Sequence, residues 1–291
     1  MSEASGLRRE RKSIVLQLAS GYSELSYTVT EPSKARRTVL CLHDFTGNAK
    51  DFTALAPVLA ANGLRVVCPD LPGRGESAYL SAADYNPHTY LMALLAFVRS
   101  LALTRVFVVA KGWGALLALA LARMPDVTVT RLVIADLGFP WELQVDDAVR
   151  DAAGAPAFDS IEAAAGMLAG TTEFAGLSLR RLLPLIDGRL RRSDKGLVLN
   201  FDPALLMAQA TEKYARIGTQ RLYDDVKARL LHLSAGKLTQ RDRMRLDEIV
   251  AAAPNRASAE RVSPAARVHF CTPHELLLTV GFLTSRVMPP P

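Results

Sequence analysis

The residues able to do chemistry in this chain are few and far apart. They are Asp44 in CLHDFTGNAKDF (41–52), Lys111 in VFVVAKGWGALLALALA (106–122), Asp136 directly behind RLVIA (131–135), and His269 towards the end. Carboxylates and imidazoles can move protons, whereas a lysine amine becomes a nucleophile only when desolvated. Asp44 is suited to act as a general base or to hold a cationic group. It is equally suited to bonding nearby backbone N–H groups, as aspartate does in turns. His43 reads as a structural part of the same loop, and His274 as an exposed residue in the first turn of a helix. Cys41, Cys68 and Cys271 show no metal-ligand spacing, so no metal is expected, and no cofactor motif is present.

Elements that could position these groups are legible around them. SIVLQLA (13–19) and SELSYTV (23–29) read as short antiparallel strands joined at Gly21. TVLCL (38–42), RVVCP (65–69), RVFVVA (105–110) and RLVIA (131–135) are unbroken apolar runs, the pattern of central parallel strands covered on both faces. Helical patterns over 51–62, 87–101 and 113–124 separate them, the second opening at Asn86-Pro87. From about 140 to 225 the alternation lapses into a mostly helical segment with loops at Gly176, Gly188 and Gly196. Strands then return at 229–235 and 257–262, with helices near 240–252 and 274–286. The expected fold is α/β: a doubly wound, mostly parallel sheet with a helical insertion. In this reading residues 1–12 are a flexible tail, 13–140 and 226–291 form the core, and 141–225 form a helical cap.

A hydrophobic content of 49% with 22% charged residues fits a well-packed globular chain. The net charge of +6 gathers at Arg8, Arg9, Arg11 and Lys12 and again over Arg180–Arg192. Either cluster could touch a phosphate or an acidic partner. With no nucleic-acid fold signature beside them, they read as a solvated tail and a solvated helix face, and no nucleic-acid partner is expected. The polar start MSEASGLRRERKS is no secretory signal, and no apolar run approaches the ~20 residues of a membrane span. A cytoplasmic protein with reduced thiols is the expectation.

Three stretches at the expected distances make the chain resemble the α/β-hydrolase family over roughly residues 13–288. CLHDFTGNAKDF resembles the loop whose third residue, here Phe45, lends its backbone N–H to the oxyanion hole. PDLPGRGES (69–77) resembles the turn after the fourth strand. Ala110-Lys111-Gly112-Trp113-Gly114 occupies the nucleophile elbow, where the family pattern is Gly-x-Ser-x-Gly. The resemblance also implies an acid after the seventh strand and a histidine before the last helix. Glycine stands at the nucleophile position, Gly112, and Trp113 supplies only its backbone N–H. Thr239 stands near the acid position with Asp242 a helical turn late, and Asp136 is an alternative acid position. Counting back from Thr272-Pro273 puts the histidine position at Ala266, with His269 as the alternative; His269 also reads as a loop histidine. Asp44 replaces the usual glycine beside the oxyanion donor, where its charge opposes a developing anion. The elbow forces a strained positive φ that glycine accepts with little cost.

Two functions follow as expectations. One is a non-hydrolytic pseudo-hydrolase that binds a small apolar or carbonyl-containing ligand, or a protein partner, in a pocket made of Asp44, Phe45, Lys111, Gly112, Trp113, Asp136 and His269. The other is a hydrolase, lyase or isomerase acting on a small carbonyl or ester substrate through Asp44 or His269. A purely structural subunit is the third and weakest reading.

Overall fold

The computed structural model describes residues 6–138, 145–154, 157–209, 222–223, 226–236, 239–253, 256–263 and 267–285. The chain opens with a long hairpin, β1 (Leu7–Leu18) and β2 (Gly21–Pro32), paired antiparallel from Leu7↔Pro32 to Leu18↔Gly21. Arg8–Lys12 therefore belongs to a strand, which corrects the expectation that these residues are part of a flexible tail. The unbroken charge that made this stretch read as a tail lies on an edge strand, and Arg11 reaches back to Asp70 at 2.8 Å. Charged residues on a sheet edge also discourage pairing with a foreign strand.

The doubly wound core continues with β3 (Arg37–Leu42), α1 (Leu55–Ala61), β4 (Leu64–Pro69), α2 (Pro87–Ser100), β5 (Arg105–Lys111), α3 (Trp113–Leu121) and β6 (Thr128–Ala135). An insertion follows, with α4 (Asp147–Gly154), α5 (Ile161–Leu168), α6 (Leu179–Arg189), β7 (Leu190–Ser193), β8 (Gly196–Leu199) and α7 (Ala204–Gln209). The core resumes with β9 (Arg229–Ala235), α8 (Gln240–Ala252), β10 (Ala257–Ser263) and α9 (Pro273–Thr284). Eight strands form one sheet in the order β1-β2-β4-β3-β5-β6-β9-β10, parallel from β4 to β10.

Successive residues of a strand face opposite sides, so each central strand feeds two cores. Leu40, Leu42, Val106 and Val108 pack on one side with residues of α2 and α3. Val39, Cys41, Phe107 and Val109 pack on the other with residues of α1 and α9. Helix starts follow the caps written in the sequence: the Asn86 side chain accepts from Thr89 N ahead of Pro87, and Thr272 forms a capping box with Glu275 ahead of Pro273.

Two details differ from the expectation. The helix anticipated over 51–62 is split into a 3-10 turn, Ala49–Phe52, and α1. The insertion is not wholly helical: β7 and β8 form an antiparallel hairpin, with Gly196 at φ +126° opening β8. Four-residue strands are too short to show a period-2 pattern, and GRLRRSDKG reads as solvated charge. Among the described residues no helix is long and apolar enough to cross a membrane.

Candidate functional site

The turn between β5 and α3 places Gly112 at φ +47° and ψ −114°. Its N–H donates to Ala135 O at 2.9 Å, fixing the turn against the end of β6. A Cβ at Gly112 would run into the Asp44 carboxylate, and one at Gly114 into the carbonyl oxygens of Leu42 and His43. The two glycines thus let the start of α3 press against the loop after β3. Gly112 does so specifically because Asp44 lies where a side chain would begin.

Asp44 Oδ1 accepts from Phe45 N at 2.7 Å and from Trp113 N at 2.8 Å. These are the two backbone donors that the resemblance assigns to an oxyanion hole, and the protein's own carboxylate fills it. The loop around Asp44 is rigidly held. Leu71 N donates to His43 Nε2 at 2.9 Å, and His43 Nδ1–H donates to Asp44 O at 2.7 Å. Burial, reinforced by the Arg74 charge, lowers His43 to about 3, so the ring is neutral and structural. Fully buried Arg74 donates through Nε to Phe45 O at 2.7 Å and stacks between the rings of Phe45 and Tyr90. Sequence reading assigned it no role; its place in PDLPGRGES was the available signal.

A buried ionic group adjoins this centre. Lys111, 3% exposed, has Nζ 3.6 Å from Glu173 Oε1. Arg189, 6% exposed, pairs with the same Glu173 carboxylate and lies 3.1 Å from Asp51 Oδ2. Burial pushes Asp51 up to about 6 despite Arg189. Burial would raise Glu173 too, but Arg189 and Lys111 prevail and bring it down to about 2. Glu173, Arg189 and Asp51 were not identified from the sequence, and the buried Arg189 corrects the solvated-face reading of its run. Nothing in a local pattern marks a charge for burial.

Asp136, itself at φ +54°, accepts from Val268 N at 2.5 Å, and burial pushes its carboxyl up to about 6. It therefore steadies the segment that carries His269. His269 is 5% exposed, stacks on Phe174 and donates through Nε2 to Glu173 O at 2.9 Å. Burial and then Lys111 lower it to about 3, which makes it a poor base near neutrality. Among the described residues no hydrogen bond joins His269 to Asp44, Asp136 or Asp242. Thr239 is the N-cap of α8, accepting from Asp242 N at 3.1 Å and donating to Asp242 Oδ2 at 2.6 Å. That pair belongs to an exposed helix end. Ala266 lies outside the described residues, and His274 is exposed. Among the described residues no cluster of three or more His, Cys, Asp or Glu is placed to hold a metal ion.

These shifts set a pH dependence. Burial lowers His43, His232 and His269 to about 3, 4 and 3, so the unfolded chain takes up their protons below 6.5 while the fold resists. Their stabilisation is complete above 6.5 and is lost as pH falls towards 3. Glu173 adds loss in the same direction below its ordinary 4.5. Asp51 and Asp136, raised from 3.8 to about 6, act oppositely, because their contribution is present at low pH and disappears as pH rises through 6. Four groups outweigh two, so Tm is expected to fall steadily from pH 7 to pH 4 in calorimetry. A flat profile would contradict the buried, neutral histidines.

A model of the alpha/beta hydrolase family matches residues 39–277. Over 103 residues the chain is 32% identical to the 3-hydroxybutyrate-oligomer hydrolase of Cupriavidus necator. That match covers 35% of each protein, so the chain spans about a third of the length of this curated relative. An alpha/beta hydrolase from Novosphingobium aromaticivorans superposes with a TM-score of 0.79 at 21% identity, covering 94% of this chain and 98% of that one. E-2-(Acetamidomethylene)succinate hydrolase does so at 0.72 and 20% identity, covering 95% and 100%. At these identities the superpositions show a shared fold.

Proposed function

The chain belongs to the alpha/beta hydrolase family, and from that premise we propose that it is a non-hydrolytic member whose elbow site binds a small ligand rather than cleaving an ester. One observation carries this reading: Asp44 Oδ1 occupies both oxyanion donors, and the carboxylate fills the space of a side chain at position 112. Acyl transfer needs that N–H pair open to a carbonyl oxygen. An oxyanion forced in beside Asp44 meets a like charge, worth about 4 kcal/mol at 4 Å for an effective dielectric near 20. His269, lowered to about 3 by burial and then by Lys111, is a poor base near neutrality. The half-buried Asp44 instead offers Oδ2 to a hydrogen-bond donor on a ligand lodged between the sheet's C-terminal edge and the insertion, which in this reading serves as the cap.

A second reading is favoured by the same Oδ2, which has no hydrogen bond among the described residues. A carboxylate fixed through one oxygen and open at the other suits proton transfer in a lyase or isomerase. The test is native mass spectrometry with an ester panel and a fluorophosphonate probe. Wild type is expected to carry a small molecule that Asp44→Ala has lost, with no turnover and no labelling. Ester turnover abolished by a single substitution would overturn the proposal. Deuterium uptake from solvent into the carried molecule, lost in Asp44→Asn, selects the second reading.

A further inference from the structure

The two basic runs of the sequence, which neither β1 nor the elbow site explains, converge on one cavity. It measures about 750 Å3 and lies among β1, β2, the 3-10 turn, α6 and the segment before α9. Of the residues grouped around the elbow, Asp44, Phe45, Lys111, Gly112, Trp113 and Asp136 are not among its walls, and His269 is the one that borders it. Arg9 and Arg11 reach it from the first run, Arg180 and Arg181 from the second, and Lys50 from the 3-10 turn. Arg11 is neutralised by Asp70 at 2.8 Å, but Arg9, Lys50, Arg180 and Arg181 have no ion partner among the described residues. Of the three acids in the walls, Glu10 is taken by Arg8 and Lys12 and Asp51 by Arg189. Only Asp187 is left to face four cations.

Four cations without ion partners, from three separate segments around one concavity, give it a positive potential that favours an anion. The excess over Asp187 matches a dianion better than a single carboxylate. Pro184 and Leu185 add an apolar wall, and the volume lies within the roughly 300–1,000 Å3 of small-molecule sites. We propose that this cavity is a second ligand site, which takes an organic phosphate: the phosphate gathered by Arg9, Lys50, Arg180 and Arg181, the apolar body resting on Pro184 and Leu185. The site does not depend on the reading given for Asp44.

The probes are 1-naphthyl phosphate, 1-naphthol and inorganic phosphate, titrated calorimetrically into the full chain. Naphthyl phosphate is expected to bind at least tenfold more tightly than either of the others, and at least tenfold less tightly to Arg180→Ser/Arg181→Ser, whose positions are exposed. Asp44→Ala is expected to bind it like wild type. Cys271 lines the cavity and is half-buried, while Cys41 and Cys68 are buried, so its alkylation by N-ethylmaleimide reports occupancy. Naphthyl phosphate should slow that alkylation severalfold. Absence of binding at millimolar concentration, equal binding of naphthol, or a loss in Asp44→Ala but not in the arginine variant overturns the proposal. Inorganic phosphate binding as tightly as the naphthyl ester overturns the apolar half of it.

Discussion

Gly112→Ser, made alone, is expected to lower Tm by about 6–20 °C and to produce no esterase. Backbone strain at φ +47° costs a non-glycine residue about 1–3 kcal/mol. The new Cβ also expels the Asp44 carboxylate from Phe45 N and Trp113 N, and each buried donor left unpaired costs about 1–3 kcal/mol. With water or the new hydroxyl re-pairing one donor, the lower part of that sum, about 3–5 kcal/mol, converts to about 6–20 °C at about 2–4 °C per kcal/mol for a chain somewhat over the size range surveyed. Removing the obstacle as well, in Asp44→Gly/Gly112→Ser, is expected to return part of the loss, with a coupling of about 1–3 kcal/mol between the sites. Strictly additive melting temperatures would show that Asp44 and Gly112 do not share one space. The double variant is expected to stay without ester turnover, because His269, held at Glu173 O and lowered to about 3 by burial and then Lys111, is too weak a base to activate the serine near neutrality.

That coupling changes how the departures from the family pattern are understood. Asp44 and Gly112, taken singly, look like two independent losses: a wrong-signed charge in one loop and a missing hydroxyl in another. In the fold they share one space: the Asp44 carboxylate lies where a Cβ at position 112 would be, and the positive φ there suits glycine. Thr239 is a different case, the N-cap of α8.

What the sequence disclosed follows from how local each signal is. The central strands were legible because covering both faces demands an unbroken apolar run, and α2 and α9 because Asn86-Pro87 and Thr272-Pro273 are local capping signals. The start of β1 was hidden because Arg8–Lys12 is five charged residues in succession, with no period-2 pattern and the charge density of a tail. At the site, the turn that bears Gly112 and the oddity of Asp44 could be read from motifs. Their mutual contact could not, since it depends on how two loops far apart in sequence close over the sheet edge. Glu173 and Arg189 were beyond reach for a related reason: their sequence context is polar, and only the docking of the insertion onto the 3-10 turn buries them.

Arg189→Ala tests that docking and is expected to cost about 3–5 kcal/mol, the range for breaking a buried ion pair from one side. The guanidinium bridges Glu173 and Asp51, and the neighbouring Gly188 O accepts from Asn48 Nδ2 at 2.9 Å, so the end of α6 is fastened to the loop that follows Asp44. Without Arg189, two carboxylates remain in a buried site with Lys111 as the near cation, 3.6 Å from Glu173. Asp51 already titrates at about 6 because burial outweighs Arg189, and losing that cation raises it further. A raised acid has its stabilising contribution at low pH and loses it as pH rises through the folded value. The Tm deficit of Arg189→Ala relative to wild type is therefore expected to be larger at pH 8 than at pH 5.5, where Asp51 takes a proton and the uncompensated charge is relieved. Arg189→Ala/Asp51→Asn, which removes that charge permanently, is expected to recover stability at pH 8 and to flatten the difference between the two pH values. A deficit of equal size at both, unmoved by the second substitution, would mean that Arg189 holds α6 by packing rather than as the counter-ion of Asp51.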